Sequence, residues 1–170
     1  MKKATAILLF LMMAGFINAQ SLISTTFSDY ESNEDYSRVS ISKKMFSIMA
    51  NLNPEDEDEK ELINTVSNLD GLKIIVADST ANPDKMYKET LNRMPKRFEE
   101  LLTVNEKSEK IVFMIDEKDG MVSELIMVLR GEDQFVLLDL FGKIDLKQIS
   151  NLSRKMNIEH LDQLEKLDEN

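Results

Sequence analysis

MVSELIMVLRGEDQFVLLDLF, residues 121–141, holds two apolar runs separated by a short polar link. In a strand, successive side chains point to opposite faces. Leu125, Met127 and Leu129 therefore point one way and Ile126 and Val128 the other, while Phe135 and Leu137 oppose Val136, Leu138 and Leu140. Both faces of these two strands need cover from water. Either helices of the same chain cross to the second face, or that face is an apolar patch for another chain or an apolar ligand. Ile126, Val128, Phe135 and Leu137 are the candidate residues of such a patch. The partner it implies is another protein or a second copy of this chain.

Immediately upstream, LLTVN (101–105) and KIVFMID (110–116) are two more strand-like runs, joined to their neighbours by short polar links. Asp119-Gly120 is a favoured tight-turn pair, and Gly131 serves the next reversal. Four consecutive strands with links this short form an antiparallel meander. FGKIDLKQISNL (141–152) ends the block, with Asp145 capping a helix whose Leu146, Ile149 and Leu152 face inward. Beyond it, Ile158, Leu161, Leu164 and Leu167 form a helical stripe in an acidic tail.

The amino-terminal half mixes periods. SRVSIS (37–42) alternates as a strand with one wet face, then KKMFSIMANL (43–52) switches to helical spacing at Met45, Phe46, Met49 and Leu52. The acidic run NPEDEDEKE (53–61) reads as the start of another helix, because Asn53 is a cap residue, Pro54 suits the first turn, and acids there meet the positive end of the helix dipole. A calcium loop would place a glycine where Glu61 stands and an oxygen ligand where Lys60 stands. Leu62, Ile63, Val66 and Leu69 continue the stripe, and Asp70-Gly71 is expected to close the helix in a left-handed turn. LKIIVAD (72–78) is a strand apolar on both faces, and Asn82-Pro83 opens a further helix. Its stripe runs through Tyr87, Leu91, Met94, Phe98 and Leu101, with a kink or restart expected at Pro95.

These elements predict an α+β fold: a mostly antiparallel sheet with a C-terminal four-strand meander and helices packed mainly on one face. The expected organisation is a leader at 1–19, a lead-in at 20–36 with a helical turn around Phe27, Tyr30 and Tyr36, one domain at 37–156, and a helical tail at 157–170. MKKATAILLFLMMAGFINAQ has the charged start, apolar middle and small residue of a secretory signal peptide, with cleavage expected after Ala19. Its apolar run is shorter than the roughly 18 residues of a membrane span, so the product is expected in the periplasm or outside the cell with no stable anchor. The chain has no cysteine, which excludes disulfides and thiol chemistry. Its formal net charge of −10 opposes nucleic-acid binding. RMPKR (93–97), the densest basic group, reads as a solvated helix face.

RVSISKKMFSIMA (38–50), KIVFMIDEKDGMVSELIMVLRGE (110–132) and FGKIDLKQISNL together resemble the small exported proteins of the Bacteroidota lineage grouped as domain-of-unknown-function family 4252. The resemblance spans nearly the whole chain after the leader, and its motifs are packing and turn patterns. It implies an extracytoplasmic protein, a link to envelope signalling, and no catalytic residue to carry over.

The residues themselves offer little chemistry. His160 is the lone histidine, so a His-rich metal site is impossible, and no cofactor is expected. Ser40-Ile41-Ser42-Lys43 matches the S-x-x-K pattern of penicillin-recognising enzymes, but no K-T-G accompanies it and Ser40 falls in a strand. Glu124 and Asp139 interrupt apolar strands, where a carboxylate must find water, a donor such as Lys143, or a function. Met45, Met49, Met114 and Met127 are core filler or a soft partner groove. The leading expectation is a non-enzymatic interaction module of the cell envelope. The alternative is a small hydrolase of envelope material using Glu124 and Asp139.

Overall fold

The structure, a computed structural model, describes residues 21–51, 53–54, 57–78 and 81–148. The leader, the tail at 157–170 and His160 lie outside the described residues. In chain order the elements are α1 (Leu22–Thr26), α2 (Ser28–Glu31), β1 (Ser37–Ser42), α3 (Lys43–Met49), α4 (Glu57–Ser67), β2 (Leu69–Asp78), α5 (Pro83–Arg93), β3 (Glu99–Asn105), β4 (Lys110–Lys118), β5 (Met121–Arg130) and β6 (Gln134–Ile144). The strands form one six-stranded sheet in the order β1-β2-β6-β5-β4-β3, and every neighbouring pair is antiparallel. The fold is α+β, with β3 to β6 as the meander.

Local chemistry accounts for the ends of these elements. Asp119 and Gly120 both have positive φ, 56° and 78°, which is the backbone a two-residue hairpin turn requires between β4 and β5. Ser42 ends β1 and its hydroxyl accepts the Met45 N–H at 3.4 Å, so the strand passes straight into α3. The Asp145 carboxylate accepts from the N–H groups of Lys147 and Gln148 at 3.0 and 3.2 Å, as a helix cap should.

Two boundaries differ from the sequence reading. Asp70-Gly71 does not close α4; both residues lie within β2, Asp70 at a break in register and Gly71 paired with Phe141, and Gly71 is needed for space, since a Cβ there would lie 2.3 Å from the Phe141 ring. Pro95 ends α5 rather than kinking it. Arg93 is its last residue, Met94 is extended, and Phe98 and Leu101 leave the helical stripe for a turn and β3.

The expectation that helices pack mainly on one face is corrected: they cover both. On the first face, α3, α4 and Leu146 enclose Phe113, Leu125, Met127, Leu129, Leu138 and Leu140. On the second face, Leu22, Ile23, Phe27 and Tyr30 from α1 and α2, with Met86 from α5, enclose Ile126, Val128, Phe135 and Leu137. Those last four residues are each 0% exposed, so they are core and form no open patch. The long connection from β1 to β2 lies across one face and that from β2 to β3 across the other. The methionines divide likewise: Met127 is buried, Met49 and Met114 are half-buried, and Met45 is exposed.

Candidate functional site

The second face carries the polar residues that need explanation. Glu124 on β5 and Asp139 on β6 lie on the same face as Ile126 and Leu137, because Asp139 pairs with Ile126 in the ladder and Glu124 stands two residues before it. They are 6% and 0% exposed. The sheet supplies no donor to them; the N-terminus of α1 does. Ser21 Oγ donates to Asp139 Oδ2 at 2.5 Å, Ile23 N–H donates to the same oxygen at 3.0 Å, and Leu22 N–H donates to Glu124 Oε1 at 2.7 Å. The first N–H groups of a helix have no partner within it, and here two buried carboxylates take them.

Burial favours a proton on the pair. Burial pushes Glu124 up to about 7, with the neighbouring Asp139 charge adding to it. Burial also raises Asp139, against the hydrogen bonds from Ser21 and Ile23 and the charge of Lys73. Asp139 Oδ1 is buried without a donor among the protein's fixed N–H and O–H groups. Each carboxyl is next to the other, so a proton on Glu124 would relieve the repulsion between them.

Cations frame the pair. Arg97 donates from Nε to Asp116 Oδ2 at 2.8 Å and from a terminal nitrogen to Glu124 Oε2 at 3.2 Å. Lys73 stands opposite Asp139 in the β2–β6 ladder and bonds to Ser24 Oγ and Glu31. Farther along, Arg93 reaches from α5 to Asp29, bonding both carboxylate oxygens at 2.8 and 2.6 Å, and also to the Thr26 carbonyl. Its guanidinium lies 4.8 Å from the Phe27 ring centroid and 5.2 Å from that of Tyr30.

Sequence reasoning singled out the two carboxylates and the structure brings them together, but it missed the groups that serve them. Lys143 is not their partner; Lys73 and Arg97 are. Arg93 and Arg97, expected on a solvated helix face, pair instead with Asp29 and with Asp116 and Glu124; the signal for a cation is the presence of two acids buried in strands. The four apolar candidates adjoin the acids as packed core. Ser40 of the S-x-x-K pattern is exposed on β1.

Two depressions border the sheet, the larger on the opposite face from the acids. One of about 650 Å³ is bordered by Thr65, Leu101, Ile115, Met121, Ile144 and Gln148. The other, about 300 Å³, lies between α1–α2 and the β1–β2 strands, bordered by Ile23, Glu31, Arg38, Ser40, Lys73 and Ile75. Neither is lined by Glu124 or Asp139. Among the described residues no group of acids or histidines is arranged to hold a metal ion, and no helix is long and apolar enough to cross a membrane.

A family model described as Domain of unknown function (DUF4252) matches residues 30–152. The chain belongs to this family. The DUF4252 match includes every strand, α3 to α5, and both buried carboxylates, but it begins at Tyr30. Thus Ser21 and α1, which supply donors to Glu124 and Asp139, precede the DUF4252 match, as does the first half of α2. No curated protein and no solved structure matches the chain.

Proposed function

We propose that this chain is an exported interaction module of the cell envelope, acting in envelope signalling, and that it docks an extended segment of a partner protein along the free edge of β1. The carrying observation is the contrast between the two sheet edges. β1 pairs only with β2, in unbroken register, and five of its six residues are exposed. Its one charged residue, Arg38, turns back to the Glu31 carbonyl. The opposite edge, β3, carries exposed Glu99 and Glu100 and a register break beside them, devices that discourage strand addition. β1 has neither.

Apolar side chains accompany that open edge. Val39 is 51% exposed, and Met45 and Ile48 on α3, which packs on β1 and β2, are 50% and 51% exposed. An added strand gains main-chain hydrogen bonds from β1 and side-chain contacts from this group. The leader sequence supports export, and cleavage after Ala19 would leave α1 close to the new N-terminus.

The hydrolase reading has one observation in its favour, since a Glu124 pKa of about 7 suits a general acid at neutral pH. Against it, one oxygen of each carboxylate is taken by donors at the start of α1, and neither residue lines either depression.

A photo-crosslinking residue at position 39 of the full chain, in its native envelope, tests the docking edge. One protein adduct is expected there and none from position 103 on β3, and a purified Val39→Lys chain should fail to bind an extended peptide taken from the adduct. Equal adducts from both edges, or none from position 39, would sink the reading.

A further inference from the structure

Residues 21–31 do not belong to the sheet or to the α3–α5 layers, and the groove they fill is rimmed with groups that fit them. Leu22, Ile23 and Phe27 are each 0% exposed and Tyr30 is 7% exposed, seated on Ile126, Val128, Phe135 and Leu137. The Tyr30 ring stands edge-on to Phe135 at 6.1 Å and stacks with Phe27 at 5.6 Å. At the N-terminal end the groove presents acceptors, Glu124 and Asp139, to the free N–H groups and hydroxyl of the segment. Cations meet the segment's acids: Arg93 meets Asp29, and Lys73, opposite Asp139 in the ladder, meets Glu31. An apolar floor rimmed by carboxylate acceptors and by cations is the surface of a binding slot for a short helical segment with free donors at its start and acids after them.

We infer that residues 21–31 are a detachable strap, an intramolecular ligand of this slot, and that the slot takes the same segment of a second copy of this chain when its own is released. Charge complementarity selects that occupant. The strap offers donors, four apolar anchors and two acids in the order the slot reads them, and an identical strap from another copy makes the same contacts. Residues 32–36 link the strap to β1 and act as the hinge. A depression of about 300 Å³ remains between strap and β1–β2, so the seat is unfilled along one side. The strap also lies almost wholly outside the family match, which begins at residue 30. This goes beyond docking at the β1 edge, and the two stand or fall separately.

Protons govern the release. With one proton between them, Glu124 and Asp139 tolerate burial; losing it leaves two buried negative charges. The charged groups facing the pair are Lys73 from β2, Arg97 beyond α5 and Asp116 from β4. Raising the pH through about 7 therefore loosens the strap, in its own slot or a neighbour's. Lowering it again locks whichever strap is seated.

The test uses the full chain after leader removal. Hydrogen–deuterium exchange, normalised to a free peptide of residues 21–31 at each pH, reports strap opening. Opening should rise about tenfold per pH unit from about pH 5 to pH 7 in the wild type, and stay flat in Glu124→Gln, whose neutral amide mimics the protonated acid. Two differently labelled preparations, concentrated together at about pH 8 and returned to about pH 5, should yield mixed dimers by size-exclusion chromatography and energy transfer; mixtures kept at about pH 5, or made of Glu124→Gln, should not. Exchange in 21–31 that tracks global unfolding at every pH, or a monomer throughout, would overturn the inference. Neither readout depends on a strap variant that fails to fold.

Discussion

Glu124 and Asp29 anchor opposite ends of the strap and titrate in opposite senses. Glu124 is raised by burial and by Asp139, so it contributes stability that is fully present below its unfolded value of 4.5 and is lost as pH rises through about 7. Asp29 is lowered, first by its hydrogen bond from Arg93, so its contribution is present above its unfolded value of 3.8 and is lost as pH falls through its lowered folded value. Asp29 is more than half exposed at its side chain, so the acid-side loss is the smaller of the two. Urea unfolding at a series of pH values should show stability declining from about pH 5 to pH 7 in the wild type and level in Glu124→Gln over the same range. At the residue scale the sequence pointed to the right acids, because a carboxylate among apolar strand residues is conspicuous. It did not point to Ser21, Lys73 or Arg97, because nothing in their local surroundings marks them.

Among the elements, α5 shows how capping and strain combine. Asn82 caps it, accepting the Lys85 N–H at 3.1 Å, and does so with φ at 55°, a left-handed backbone that asparagine tolerates better than most residues. Asn82→Ala loses the cap and keeps the unfavourable backbone, and should cost about 2 kcal/mol; Asn82→Gly loses the cap but relieves the backbone, and should cost a few tenths. Urea midpoints of the two variants check the order. The signals Asn82-Pro83, Asp119-Gly120 and Ser42 were legible because caps and turns are local chemistry. Asp70-Gly71 misled because its sequence suits a helix end, whereas pairing with β1 and β6 carries it into a strand. Pro95 is the obstacle its chemistry predicts, but the apolar spacing continues past it by coincidence into Phe98 and Leu101.

For the molecule as a whole, stability is divided between two cores on either side of one sheet, and the second depends on a short segment far from it in sequence. Phe27→Ala should cost about 3 to 5 kcal/mol, since it opens a cavity beside Tyr30 and beneath Arg93. Val39→Ala, on the exposed edge, should change stability by no more than about 0.5 kcal/mol. Thermal unfolding of both separates a residue that holds the fold together from one available for a partner.

The sequence by itself determined the strands and most of the helices, the antiparallel meander, and the fact that β5 and β6 are apolar on both faces, because period and turn chemistry act over a few residues. Only the tertiary structure decided that the chain covers both faces itself, and that Ser21 closes on Asp139, 118 positions away. Side-chain alternation tells which way a residue points relative to its neighbours. What waits on that side depends on the path of connections that span tens of residues, and no local pattern records it.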